Sequence, residues 1–356
     1  MGAVSVLLNL WEPVYGQRRL LVRLAISASL VGFLVWRVDI AAALKTLTHV
    51  NYFYALPALA LFTLAKLIFA VRWRLILARL GKPPVGSLFA TLLVSNMANN
   101  VLPLRLGDLL RVQVPAQRHG ISRPGLTSSV FITETLLDGV TFAVLALVGI
   151  ALLDVPETLN DFIWAMIGAV GTGLLLAIFG AHISVPEGWR PGRWLGWLPE
   201  RARQAIADIL PPFVEGLAAL RHPWIGGQVL ALSLVAWLLE GLMFWLFGLG
   251  FGLDLSFGSY LVIMIVVNMV ISIPMAPSNV GPYEVAVAEV VAVLGVTRSL
   301  AGGYAIATHV LNILWVSFTG LIAMWLLGLR LQDIFYLRAR TEAPTPARRE
   351  SLERTT

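Results

Sequence analysis

The chain alternates long apolar runs with short charged clusters. Runs of about 20 apolar residues match a bilayer crossing, and they fall at about 20–36, 51–71, 128–153, 162–181, 225–248, 257–275 and 300–328. Two shorter apolar pieces, about 86–102 and 283–297, can either cross or dip into the membrane and return. The pattern predicts an all-α, polytopic transmembrane helix bundle of about 7–9 membrane segments, broken or re-entrant helices included.

Composition agrees with this class. Charged residues are 13% of the chain and hydrophobic ones 58%, against roughly 25% charged in a soluble domain. Mean hydropathy is +0.81. The net charge of +6 does not point to nucleic acid, because Lys and Arg gather in a few loops with no basic face of interleaved aromatics. Cysteine is absent, which removes disulfides, thiolate catalysis and Cys-based metal sites. The histidines and carboxylates show no ligand spacing either, so no metal and no cofactor is expected. A Walker loop is also missing, so no ATP-driven step is expected of this chain. The tryptophans, Trp36, Trp73, Trp164, Trp224, Trp245 and Trp325 among them, stand near span ends as an aromatic belt.

Charge also sets topology. Residues 1–19 form a cytoplasmic N-terminus, held there by Arg18, Arg19 and Arg23; no basic region precedes the first apolar run as in a cleaved signal peptide. The piece 86–102 has Arg72, Arg74, Arg79 and Lys82 before it, and Arg105, Arg111, Arg118 and Arg123 after it. Both flanks favour the cytoplasm, so it is expected to be re-entrant within a first membrane half, 20–181. The loop 154–161 carries only acidic charge and suits the outside. A cytoplasmic loop, 182–224, carries an amphipathic helix within 200–220. The second membrane half, 225–328, contains a break at 274–284, and 329–356 reads as a disordered cytoplasmic tail. An inner-membrane protein with both termini cytoplasmic follows.

The two interruptions resemble each other. The first runs Val94-Ser-Asn-Met-Ala-Asn-Asn-Val-Leu-Pro-Leu-Arg-Leu-Gly-Asp108; the second runs Val266-Val-Asn-Met-Val-Ile-Ser-Ile-Pro-Met-Ala-Pro-Ser-Asn-Val-Gly-Pro-Tyr-Glu284. Each has an Asn-Met pair, then Pro-x-x-x-Gly, then a carboxylate. Pro103 and Pro277 end a helix, and Gly107 and Gly281 let the backbone restart at a new angle. Such breaks, half a chain apart, predict an inverted internal repeat whose broken helices meet at a midplane site. Asn99, Asn100, Ser278 and Asn279 offer hydrogen bonds there, Arg105 and Arg111 offer cations for an anionic headgroup, and Asp108 and Glu284 balance them.

Other intramembrane polar residues extend this set. Glu134 and Asp138 lie four apart on one helix face, and are expected to pair with Arg105, Arg111 or Arg123, or to do acid–base work. Lys66 either snorkels or faces a polar cavity, while Arg72 and Arg74 read as interface anchors. His309 and Asn312, three apart in the last span, can line the same cavity.

At these motifs the sequence resembles the lysylphosphatidylglycerol synthase transmembrane-region family, the flippase-like part of the multiple peptide resistance factor. The resemblance rests on Asn99-Asn100-Val-Leu-Pro103-Leu-Arg105-Leu-Gly107-Asp108, on Glu134-Thr135-Leu-Leu-Asp138-Gly, and on Pro277 through Gly281 to Glu284. Leu104, Asp108, Thr135 and Ser278-Asn279 depart from the family's glycine, glutamate, arginine and glycine pair. The resemblance implies a translocator moving an anionic phospholipid or glycolipid between leaflets, with no catalytic residue of its own. With only 329–356 after the last span, it implies a stand-alone member without lysyl transfer. A membrane lipid is the expected partner; a separate lipid-modifying enzyme and a second copy of the chain are further candidates. The alternatives are a membrane-embedded transferase using Glu134, Asp138 or Asp108 as base, and a non-catalytic partner of a separate synthase.

Overall fold

A computed structural model describes residues 40–102, 105–130, 135–152, 223–273 and 276–330, together with isolated positions elsewhere. The expected spans 20–36 and 162–181, the amphipathic helix in the 182–224 loop, the tail beyond 330, Pro103 and Glu134 lie outside the described residues or nearly so. All regular structure among the described residues is helical: α1 (Ile40–Thr46), α2 (Ala55–Ile76), α3 (Val85–Val101), α4 (Asp108–His119), α5 (Arg123–Ser128), α6 (Thr135–Leu152), α7 (Pro223–Gly250), α8 (Phe257–Ser272), α9 (Pro282–Val293) and α10 (Arg298–Leu326). Among the described residues, three stretches are long and apolar enough to cross a membrane, Tyr52–Ile76, Trp224–Gly250 and Arg298–Leu326; Leu136–Gly149 and Phe257–Ser272 are shorter apolar helices. The protein is an all-α membrane bundle.

Local chemistry sets the helix ends. Asn51 Oδ1 accepts from Phe53 N at 3.1 Å and starts the turn that leads into α2. Ser256 caps α8 by accepting from Ser259 N. The expected span 257–275 stops earlier, at Ser272, because Pro274 follows and disfavours helix in the residue before it. At the start of α9, Pro282 occupies the first turn and Gly281, with φ 96°, takes a conformation closed to other residues. The stretch 108–119, which the sequence shows only as a basic flank, forms α4.

The helices α3 and α4 form a hairpin. Its 17-residue and 12-residue arms are about 25 and 18 Å long, against about 30 Å of hydrocarbon. Its arms are antiparallel, since Ser87 Oγ lies 2.9 Å from His119 Nε2 at one end and Asn99 meets Asp108 at the other. Gly107 makes the tip: a Cβ there would sit 2.3 Å from the Ser95 carbonyl oxygen and 2.7 Å from Asn99 N. Gly107→Ala is therefore expected to cost about 1–3 kcal/mol, read as a lower unfolding midpoint in detergent.

The two halves repeat one order. In the first, α2, α3, a break, α4 and then α6 follow one another; in the second, α7, α8, a break, α9 and then α10 do. Packing repeats as well: α3 rests on α10 as α8 rests on α6, and α2 contacts α3 as α7 contacts α8. The central pair is α2 with α7. Lys66 meets Glu240, Phe69 meets Trp237, and Arg72 meets Ser233, so each step forward on α2 is a step backward on α7. Equivalent helices that run antiparallel make the repeat an inverted one.

Candidate functional site

The two breaks meet. The turn Pro277–Asn279 packs on α3, and Ser278 Oγ donates to the Asn100 carbonyl of the other half. Among the described residues, the non-glycine positions with positive φ are Arg105 (56°), Ser278 (49°) and Asn279 (56°), and all lie in the breaks. Such backbone costs of order 1–3 kcal/mol per residue and persists where its surroundings hold it in place.

A cavity of about 190 Å³ lies between the breaks and the central helices. Asn96, Asn99 and Asn100 line it from α3, and Asn268 lines it from α8. Arg105, Ser278 and Asn279 reach it from the breaks, and His309 and Asn312 from α10. Phe62 and Lys66 of α2, with Glu240, Met243 and Phe244 of α7, complete the lining.

Ion pairs brace this wall. Lys66 Nζ stands 2.6 Å from Glu240 Oε1, with Glu240 only 4% exposed, and lies over the Phe62 and Phe69 rings. Glu284 is held twice: Oε2 accepts from Gly281 N at 2.8 Å, and Oε1 lies 2.6 Å from His309 Nδ1. A carboxylate only accepts, so Nδ1 carries the proton of that contact. The His309 ring stacks on Tyr283, centroids 4.1 Å apart, and Tyr283 hydroxyl donates to Thr308. Asp108 joins its loop to α3, accepting from Asn99 Nδ2 at 3.0 Å and Ser95 Oγ at 3.3 Å, with Arg105 at 3.4 Å.

The sequence-derived set thus divides. Asn99, Asn100, Arg105, Ser278, Asn279, His309 and Asn312 share the cavity. Asp108 and Glu284 sit behind it as partners of Arg105 and His309. Arg111 does not line it; its guanidinium lies 5.3 Å from the centre of the Trp73 ring. Asp138 is also elsewhere. Its expected partners were Arg105, Arg111 or Arg123, but Oδ1 receives Arg72 and, at 3.0 Å, Trp237 Nε1. The reason is packing: α6 lies against α7, which lies against α2, and this brings Arg72 to it. Arg72 is 2% exposed, so it is no interface anchor.

Sequence reasoning passed over Asn96, Asn268 and Glu240. Asn96 and Asn268 are the asparagines of the two Asn-Met pairs, and Glu240 is the one charged residue in the apolar run 225–248. A lone carboxylate in a span is itself a signal for a site. Among the described residues no group of three His, Asp or Glu side chains could hold a metal.

Known proteins resemble the chain in sequence. A UPF0104 membrane protein of Methanothermobacter thermautotrophicus is 23% identical over 270 residues, 71% of this chain and 77% of that protein. A protein named Glycosyltransferase AglD, of Haloferax volcanii, is 25% identical over 346 residues; the match covers 87% of this chain and 55% of the relative. No solved structure matches the chain significantly. Residues 20–320 match the lysylphosphatidylglycerol synthase TM region, and the chain belongs to that family of membrane proteins.

Proposed function

We propose that the protein is a lipid translocator, moving an anionic phospholipid or glycolipid between leaflets with its headgroup in the central cavity. One observation carries the reading: two broken helices from inverted halves meet at a polar cavity inside an apolar bundle. Polar groups at that depth are costly unless paired or used, and these combine internal pairing with an opening to a ligand. Arg105 engages the phosphate, and the asparagines and Ser278 bind the rest of the headgroup. Asp108 and Glu284 hold Arg105 and His309 in place. Basic clusters around α3 and α4 support a cytoplasmic side for that hairpin, and the same charge pattern supports cytoplasmic termini and an inner-membrane location.

Reconstitution with labelled lipids and a leaflet-accessibility assay tests this. Arg105→Ala and Glu284→Gln are each expected to slow transbilayer movement at least ~10-fold, the effect of ~1.4 kcal/mol on a barrier. Unchanged rates in both variants would sink the central-site reading.

The name of the Haloferax relative favours a second reading, a transferase acting on a lipid phosphate. The match covers 55% of that relative. Of the described candidate bases, Asp138 has Arg72 and Trp237 on Oδ1, and Asp108 has Asn99 and Ser95 on Oδ1 and Arg105 beside Oδ2. A new glycosylated lipid formed from an activated sugar donor, and lost in Asp138→Asn, would favour the transferase.

A further inference from the structure

We infer that the cavity takes a hydroxylated headgroup, a sugar or polyol, in preference to a bare phosphate. This rests on the translocator reading and narrows its substrate.

Charge argues first. Each basic side chain of the wall has a carboxylate against it, in the wall or just behind it: Lys66 has Glu240, His309 has Glu284, and Arg105 has Asp108. With a carboxylate set against each basic group, the wall has no surplus positive charge for a multiply charged phosphate. Drawing Lys66 toward a ligand would also strand Glu240, a buried carboxylate, without its counter-ion.

The wall does have an excess of amide. Asn96, Asn99, Asn100, Asn268, Asn279 and Asn312 all reach the cavity, and they come from both halves. An amide offers a donor and an acceptor together, and so does a hydroxyl, whereas an ionised phosphate oxygen only accepts. Asn268 sharpens the distinction. Its Nδ2 donates to the Met264 carbonyl at 2.9 Å, which fixes the amide's orientation and leaves Oδ1 in need of a proton donor. A sugar hydroxyl supplies one; a phosphate dianion does not. Asn100, on the opposite repeat, lines the same cavity. A ligand that both gives and takes hydrogen bonds suits such a wall of amides.

Size is consistent with a headgroup alone. About 190 Å³ falls below the ~300–1,000 Å³ of sites that enclose a whole drug-sized ligand, so the acyl chains stay in lipid. Arg105, 42% exposed and at 3.4 Å the loosest of the pairs, remains for a phosphodiester where the headgroup carries one.

The test uses the full chain in phosphatidylcholine liposomes with lipids labelled on the acyl chain, so that the headgroup is native, and a quencher added outside. The probes are glucosyl-diacylglycerol, phosphatidylglycerol and phosphatidic acid. The glucosyl lipid, or both hydroxylated lipids, should cross at least ~10-fold faster than phosphatidic acid; the first result assigns a sugar and the second a general polyol. Asn268→Leu and Asn312→Leu, made separately so that one misfolded variant does not decide the matter, should each shrink that preference. Phosphatidic acid crossing as fast as the hydroxylated lipids would overturn the inference. If no probe crosses, the translocator reading falls, and the headgroup question passes to thermal shift in nanodiscs. There, greater stabilisation by dihexanoyl glucosyl glycerol than by dihexanoyl phosphatidic acid upholds the inference, and the reverse or equality overturns it.

Discussion

Lys66→Met is expected to lower folding stability by about 3–5 kcal/mol, the cost of breaking a buried ion pair from one side. Methionine keeps the apolar stem of the side chain but loses the ammonium's contacts with the Phe62 and Phe69 rings as well as the ion pair. What remains is Glu240, 4% exposed, with no cation at 2.6 Å. The double variant Lys66→Met with Glu240→Leu decides whether that is the cause. It should recover most of the loss, because well-packed apolar replacements of a buried pair are often neutral or stabilising by about 1–4 kcal/mol. Unfolding in mixed micelles, followed by tryptophan fluorescence, measures all three proteins. A double variant as unstable as the single one would show that the contact is not what holds α2 to α7.

Arg72→Met follows the same logic with a smaller effect, near the lower end at about 3 kcal/mol. The arginine is 2% exposed, but Asp138 is partly open, at 25%, and keeps the Trp237 indole as a donor. Its loss also removes a hydrogen bond to Ser233 Oγ at 2.8 Å, so α7 loosens along with α6. Asp138→Asn is expected to be milder than Arg72→Met, since an amide oxygen can still accept from Trp237 and Arg72. Equal losses in the two variants would mean that the guanidinium acts through packing over Phe69, whose ring centre lies 4.6 Å away, and not through the carboxylate.

How far the sequence carried depends on what each residue reports. Membrane class and helix positions were readable because the bilayer imposes a length, and proline and glycine mark the breaks. The pairing of the breaks was readable because Asn-Met and Pro-x-x-x-Gly recur. The partners of the charges were not. Asp138 pairs with Arg72 across 66 positions and Lys66 with Glu240 across 174, and only packing brings such residues together. Proximity along the chain favoured Arg111 and Arg123 for Asp138, while the α2–α7 contact chose otherwise. Lys66 was left between snorkelling and a cavity for the same reason, since neither its neighbours nor its spacing reveal Glu240.

The antiparallel passage of α2 and α7 has an energetic consequence. If each half adopts the shape of the other, the bundle opens toward the opposite leaflet with the same classes of helix contact. The two conformers are then isoenergetic to first order, and their populations differ only through residues that break the repeat. The carboxylates at the two restarts are such a place: Asp108 answers to a guanidinium, and Glu284 to an imidazole and to its own helix cap. On the proposed translocator reading, a passive carrier only equilibrates its cargo whether or not it is symmetric, so this mismatch of partners sets which leaflet the resting protein faces. Making the partners alike should bring the two populations toward equality.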